Sequence, residues 1–131
     1  MTTFRSFEEI DSWQESRVLV RTVRSVCKRE IVSRDYAFVD QITRAALSVS
    51  ANIAEGCEAR TKPQFIEFLG YAKRSAGEVR SHLYDALDEG YITKQEFSKI
   101  VNQARKVISM IAKLIVYLRG DVRQERLNVQ T

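Results

Sequence analysis

Apolar residues recur along this chain at steps of three, four or seven, the period of one face of an α-helix. Four such stripes follow one another, and three of them open on a capping signal. Ser6 to Glu9 reads as a capping box, in which a serine caps and a glutamate three residues on reaches back. Behind it Ile10, Trp13, Val20, Val23 and Cys27 form one face of a first helix over about 7–29. Phe38, Ile42, Ala45, Val49 and Ile53 form the seam of a second, over about 35–58. Ala45, Ala46, Ser48, Ser50, Ala51 and Ala54 make that helix rich in small side chains, and Gly56 is expected to weaken or end it. Thr61, Pro63 and Gln64 open a third over about 62–89, with Phe65, Phe68/Leu69, Ala72, Ala76, Val79, Leu83 and Ala86/Leu87 on one face and Gly90 as its stop. Thr93 to Glu96 is another capping box. It starts a fourth over about 94–119, with Phe97, Val101, Ala104, Ile108, Ile111, Ile115 and Leu118.

Helices of this length span about 33–42 Å, and short connections make sequential neighbours antiparallel. The expected fold is all-α, an up-down-up-down four-helix bundle formed as a single domain by residues 1–131. The polar segment 120–131, opened by Gly120, is expected to fray. Five glycines and one proline exclude all-β chains of many tight turns, and Pro/Gly-rich disorder.

The same residues narrow the chemistry. Cys27 and Cys57 make no disulfide framework and suit a reducing cytosol, so a cytoplasmic location is expected. The first residues lack the apolar core of a signal peptide. The longest apolar stretch, from Val107 to Leu118, is broken by Ser109 and Lys113, which argues against a membrane partner. His82 is the one histidine. Glu78 precedes it by four residues, one too many for the Glu-x-x-His pair of a bundle di-metal site. Cys27 lies on an apolar seam, and Cys57 has Glu55 and Glu58 beside it, which would raise a thiol pKa. The glycines form no phosphate-binding loop. No catalytic residue, metal or cofactor is expected.

A polar line runs beside the second helix's seam: Gln41, Arg44, Ser48, Asn52 and Glu55. The third helix has a matching line of Arg74 or Ser75, Glu78, Ser81 or His82, and Asp85. Either both lines are solvated, or they form a polar seam between subunits. The flanking Ser and Ala favour the seam, because an open face would accommodate Lys and Glu equally well. Gln41, Arg44, Ser48, Asn52, Glu55 and Glu78 are therefore assigned to an oligomer interface.

Residues 44–56 carry a resemblance. Asn52-Ile53-Ala54-Glu55-Gly56, preceded by Arg44-Ala45-Ala46 and Ser48, resembles the signature of the four-helix-bundle family encoded in intervening sequences of bacterial 23S rRNA genes. Asp11-Ser12-Trp13-Gln14, Phe65 to Leu69, Ser75 to Glu78 and Gly90 to Thr93 resemble its flanking segments, in order, over about residues 7–119. Ser50 stands where the family often has proline, and no proline separates the first two helices. The resemblance implies a left-handed bundle that assembles as a ring-like homopentamer. It also implies kinship with accessory proteins of diversity-generating retroelements, which bind nucleic acid and a reverse transcriptase.

Charge supplies the remaining clue. The chain carries a net charge of +4, a mild excess that permits an anionic partner without requiring one. Arg17, Arg21, Arg24 and Lys28 line the first helix opposite its seam, and Lys99, Lys106 and Lys113 repeat every seven residues on the fourth. These seven form the candidate nucleic-acid surface. No aromatic side chains interleave with them, so contact with RNA or DNA should be backbone-directed. The leading expectation is a non-enzymatic homo-oligomer that binds structured RNA or DNA. The alternative is a scaffold for a protein partner, and an enzyme ranks last for want of a catalytic constellation.

Overall fold

A computed structural model describes residues 4–130, and among these every regular element is helical. A single 3-10 turn, Phe7–Glu9, leads into α1 (Asp11–Cys27), a one-turn α2 (Glu30–Ser33), α3 (Tyr36–Cys57), α4 (Lys62–Asp88) and α5 (Lys94–Gln130). The four long helices pack in a closed circuit: α1 against α3 and α5, and α4 against α3 and α5. The result is an all-α helical bundle.

Local chemistry explains most of the boundaries. Asp35 caps α3 by accepting from the Phe38 N–H at 3.2 Å, and Thr61 caps α4 by accepting from the Gln64 N–H at 3.2 Å. The Thr93–Glu96 box is complete: Glu96 N–H donates to Thr93 Oγ1 at 3.1 Å, and Thr93 N–H donates to Glu96 Oε1 at 2.9 Å. Gly90 ends α4 at a φ of 74°, where an L side chain would be strained. The Tyr91 N–H then reaches the Ala86 carbonyl at 2.8 Å and the Gly90 N–H reaches Leu87 at 3.1 Å, a Schellman closure.

Several expectations are corrected. Ser6 makes no side-chain cap. Glu9 accepts instead from the Arg5 N–H at 3.2 Å, and extended backbone at Ile10 separates the 3-10 turn from α1. The break expected near residues 30–34 is the helical turn α2, pinned by fully buried Val32. The segment expected to fray continues α5 to Gln130. Gly120 does not adopt a positive φ, and Lys62 of α4 holds both Asp121 at 3.5 Å and Glu125 at 2.6 Å on the added turns.

Two apolar clusters fill the interior. One gathers Leu19, Val23, Val32, Ile42, Leu83 and Ile100; the other gathers Ile10, Val49, Ile53, Phe65, Leu69 and Ile111. The expected seams of α3 and α4 are the buried ones, apart from half-buried Phe68 and Leu87. The face of α1 is less apolar than its pattern suggested. Ser12 and Ser16 are buried in it with Leu19 and Val26, while Trp13 and Val20 are half-buried. Tyr91 latches one end of the bundle: its hydroxyl donates to Asp35 at 2.6 Å, its ring meets Phe38 edge-on at 5.3 Å, and its carbonyl accepts from Arg29 at 2.8 Å.

Gly56 does not end α3. It lies in the last turn, where a Cβ would sit 2.8 Å from Phe65 Cδ1, 3.0 Å from Phe68 Cβ and 3.2 Å from the Phe65 carbonyl oxygen. Hydrogen there is what lets α3 and α4 close. At Gly70, within α4, a Cβ would meet nothing within 4 Å. Gly56→Ala should therefore destabilise the fold by about 1–3 kcal/mol through overpacking. Gly70→Ala should leave it unchanged or stabilise it by up to about 1 kcal/mol through helix propensity. Urea unfolding of the two variants beside the parent chain checks both signs.

Candidate functional site

Two polar surfaces lie on the bundle, one where α3 meets α4 and one where α1 meets α5. The first is built on a hydrogen-bonded seam. Asn52 Nδ2 donates to the Ser48 carbonyl at 2.8 Å and to Ser48 Oγ at 3.0 Å, and Ser75 Oγ on α4 donates to Ser48 Oγ at 2.9 Å. Ser75 is buried, and Ser48 and Asn52 are half-buried. Beside this seam Gln41, Arg44, Ser48, Ser75, Glu78 and His82 line a groove of about 390 Å³. Of the alternatives on the third helix, Ser75 and His82 are the ones that face it. Arg44 is exposed and pairs with Asp40 at 3.1 Å. Glu55, at the far end of the stripe, is exposed and does not line the groove.

The groove continues past Gln41 and His82 into a depression of about 370 Å³ that also takes in Asp35, Asp85, Asp88 and Glu89. His82 Nδ1 lies 3.6 Å from Asp85 Oδ2. The α3–α4 face is thus polar and turns acidic toward the Tyr91 latch. Part of its polarity serves the fold itself, since Ser48, Asn52 and Ser75 are bonded to one another within the chain.

On the second surface two of the candidate cations meet. Arg17, Arg21 and Arg24 are exposed on α1 and Lys28 at its C-cap, as are Lys99, Lys106 and Lys113 on α5. Arg21 and Lys99, from different helices, line one groove of about 380 Å³ with Thr22, Ser25, Arg29 and Glu96. The other candidates are not equivalent to these two. Lys106 lies 3.4 Å from Glu15, and Arg17 stacks over Trp13 at 5.3 Å.

Arg29 gives no sign of its role in the sequence because its partner is remote. Its guanidinium forks onto Glu96, with Nη1 at 3.1 Å from Oε1 and Nη2 on Oε2. The fork and the Thr93 backbone bond hold the Glu96 carboxyl down to about 2. A box glutamate is a local signal; an arginine in the preceding break does not announce that the two will meet.

Both cysteine thiols are shifted toward their neutral form. Burial pushes the Cys27 thiol up, and burial with Glu58, Glu9 and Glu8 pushes Cys57 up. Glu9 and Glu8 are not neighbours of Cys57 in the sequence; they arrive with the 3-10 turn. Among the described residues no three His, Cys, Asp or Glu side chains gather in a way that could hold a metal ion. No described helix is long and apolar enough to cross a membrane.

Fold and surfaces together define a small helical-bundle protein with a polar groove between α3 and α4 and a basic groove between α1 and α5. The profile of the 23S rRNA-intervening sequence protein family matches residues 8–113, and the chain belongs to that family. Among solved structures it is similar to a protein of unknown function of the S23 ribosomal protein family from Bacteroides thetaiotaomicron VPI-5482. The identity is 25%, the TM-score is 0.71, and the match covers 79% of this chain and 97% of that one. Comparison with curated proteins finds no match.

The Arg29–Glu96 fork gives a pH signature. Because the folded carboxyl titrates at about 2 against an ordinary 4.5, its stabilising effect is complete above 4.5 and is lost as pH falls toward 2. Glu96→Gln should be less stable than the parent chain near neutrality, and the gap should close across that acid window. Urea midpoints measured from about pH 6 to about pH 2 read it directly.

Proposed function

We propose that this protein is a non-catalytic module that assembles with copies of itself and binds the phosphate backbone of structured RNA or DNA through its α1–α5 face. In this reading the long helices run antiparallel, up-down-up-down with a left-handed twist, in the cytoplasm. The observation that carries it is the convergence of Arg21 and Lys99 from separate helices on one groove, with Arg24, Lys28 and Lys113 exposed on the same two helices. Cations fixed on rigid helices form a field that phosphates can enter without base contacts. The family description, which places these proteins with 23S rRNA intervening sequences, supports a nucleic-acid setting.

Self-association would multiply that field. A ring-like homopentamer repeats the face around its rim, and each phosphate neutralised adds to affinity and to salt dependence. The α3–α4 groove is the proposed contact between copies, with Gln41, Arg44 and Glu78 presenting unlike charges and amides to a neighbour. Ser48 lines it, held in place by Asn52.

Arg21→Glu with Lys99→Glu should weaken binding to an RNA hairpin and to duplex DNA alike, by about tenfold or more. The slope of log affinity against log salt should fall by about 2. Fluorescence anisotropy over a salt series measures both, and unchanged affinity would refute the interface. Native mass by light scattering should lie near that of a pentamer for the parent chain. Glu78→Arg should lower that mass while helix content by circular dichroism stays constant.

A further inference from the structure

The last turns of α5 lie beyond the stretch that the family profile matches, and they build a surface that the proposed function does not use. Past Leu118 the inward face of α5 continues through Val122 to Val129 and runs by the first turn of α4. Arg60, Lys62, Pro63, Val122, Arg126 and Val129 line a cleft there of about 560 Å³. A second hollow of about 400 Å³ adjoins it, sharing Pro63, Val122 and Arg126 and adding Ile66, Arg119 and Arg123. The floor is apolar, and Val129 is 87% exposed on it.

The charges around this floor are unbalanced. Asp121 and Glu125 both face Lys62, whose ammonium is held at 3.5 Å and 2.6 Å from them, so the acids at the cleft are already engaged. Arg60, Arg119, Arg123 and Arg126 are exposed, and among the described residues none of the four forms an ion pair. Arg119, Arg123 and Arg126 follow one another at steps of four and three, so they form one strip beside the apolar line.

We propose that this cleft docks an amphipathic acidic helix from a partner protein. Apolar side chains spaced i, i+3, i+4 and i+7 on the partner meet Val122, Val129, Pro63 and Ile66, and its carboxylates meet the arginine strip. From Val122 to Val129 the floor is about 10 Å long, or two helical turns. The apolar floor sets this surface apart from the α1–α5 face. A nucleic-acid backbone would use the arginines and leave Val122 and Val129 uncovered, and no aromatic ring lines the cleft for a base to stack on.

The test uses the full chain and a fluorescent synthetic helical peptide of about 15 residues, with leucines at that spacing and glutamates elsewhere. Two control peptides replace the leucines by alanine or the glutamates by lysine. The leucine–glutamate peptide should bind, and both controls should lose at least about tenfold in affinity. Val129→Asp, and separately Arg123→Glu with Arg126→Glu, should each cost the same order, while Arg21→Glu with Lys99→Glu should leave peptide affinity unchanged. Circular dichroism confirms that each variant folds. Equal binding of the alanine peptide would overturn the proposal, because the cleft would then be only a charged patch. So would indifference to Val129→Asp or to the arginine reversals, or displacement of the peptide by duplex RNA or phosphatidylserine vesicles more readily than by unlabelled peptide.

Discussion

The contact between Gly56 of α3 and Phe65 of α4 sets the spacing on which the rest of the bundle depends. A methyl group at Gly56 would occupy space already held by the Phe65 ring and backbone. Helices that meet this closely need small residues along the rest of their seam, and Ala45, Ala46, Ala72 and Ala76 supply them. The same proximity brings Ser75 of α4 to Ser48 of α3, so a polar stripe becomes an interhelical hydrogen bond. The groove outside that bond exists because its floor consists of short side chains. Steric exclusion, polar registration and surface shape are thus consequences of one close approach.

The opposite side of the circuit is joined differently. Where α1 meets α5, charged residues bridge the surface, with Lys106 beside Glu15 and Arg29 forked onto Glu96. Such exposed pairs are screened and individually weak. Their effect is to set which cations of this face are engaged within the chain. Arg21 and Lys99 are left lining the groove, whereas Lys106 has a partner on α1.

The features legible in the sequence are those governed by neighbours along the chain. Thr61 and Thr93 cap because the N–H groups they satisfy lie three residues away. Phe38, Ile42, Val49 and Ile53 are buried because their spacing admits one face only. The seven basic candidates are exposed as the pattern implied, and the groove collects Gln41, Arg44, Ser48 and Glu78 from the polar stripe. What escapes a reading of the sequence depends on remote contacts. Gly120 looks like Gly90 on paper, but only Gly90 adopts a positive φ, and Lys62 carries α5 onward from far away in the chain. Ser12 and Ser16 are polar residue types with no local sign of burial. Gly56 resembles a helix stop because the ring that explains it lies on another helix.

Those two serines bear on how the bundle comes apart. Ser16 satisfies its hydroxyl by donating to the Trp13 carbonyl at 2.6 Å, while Ser12 Oγ is buried with no hydrogen-bond partner among the described residues. A serine-lined face makes α1 a less adhesive neighbour than α3 or α4, whose buried seams are apolar but for the hydrogen-bonded Ser75. α1 packs on α3 and α5, so its departure would leave the α3–α4 and α4–α5 contacts in place. In the language of partial unfolding, α1 is the unit expected to open first, with the other three long helices opening later. The helix that carries Arg17, Arg21 and Arg24 would then also be the element whose amides exchange earliest, and in the proposed reading a polyanion bound across α1 and α5 would act as a clamp on the weakest joint of the fold.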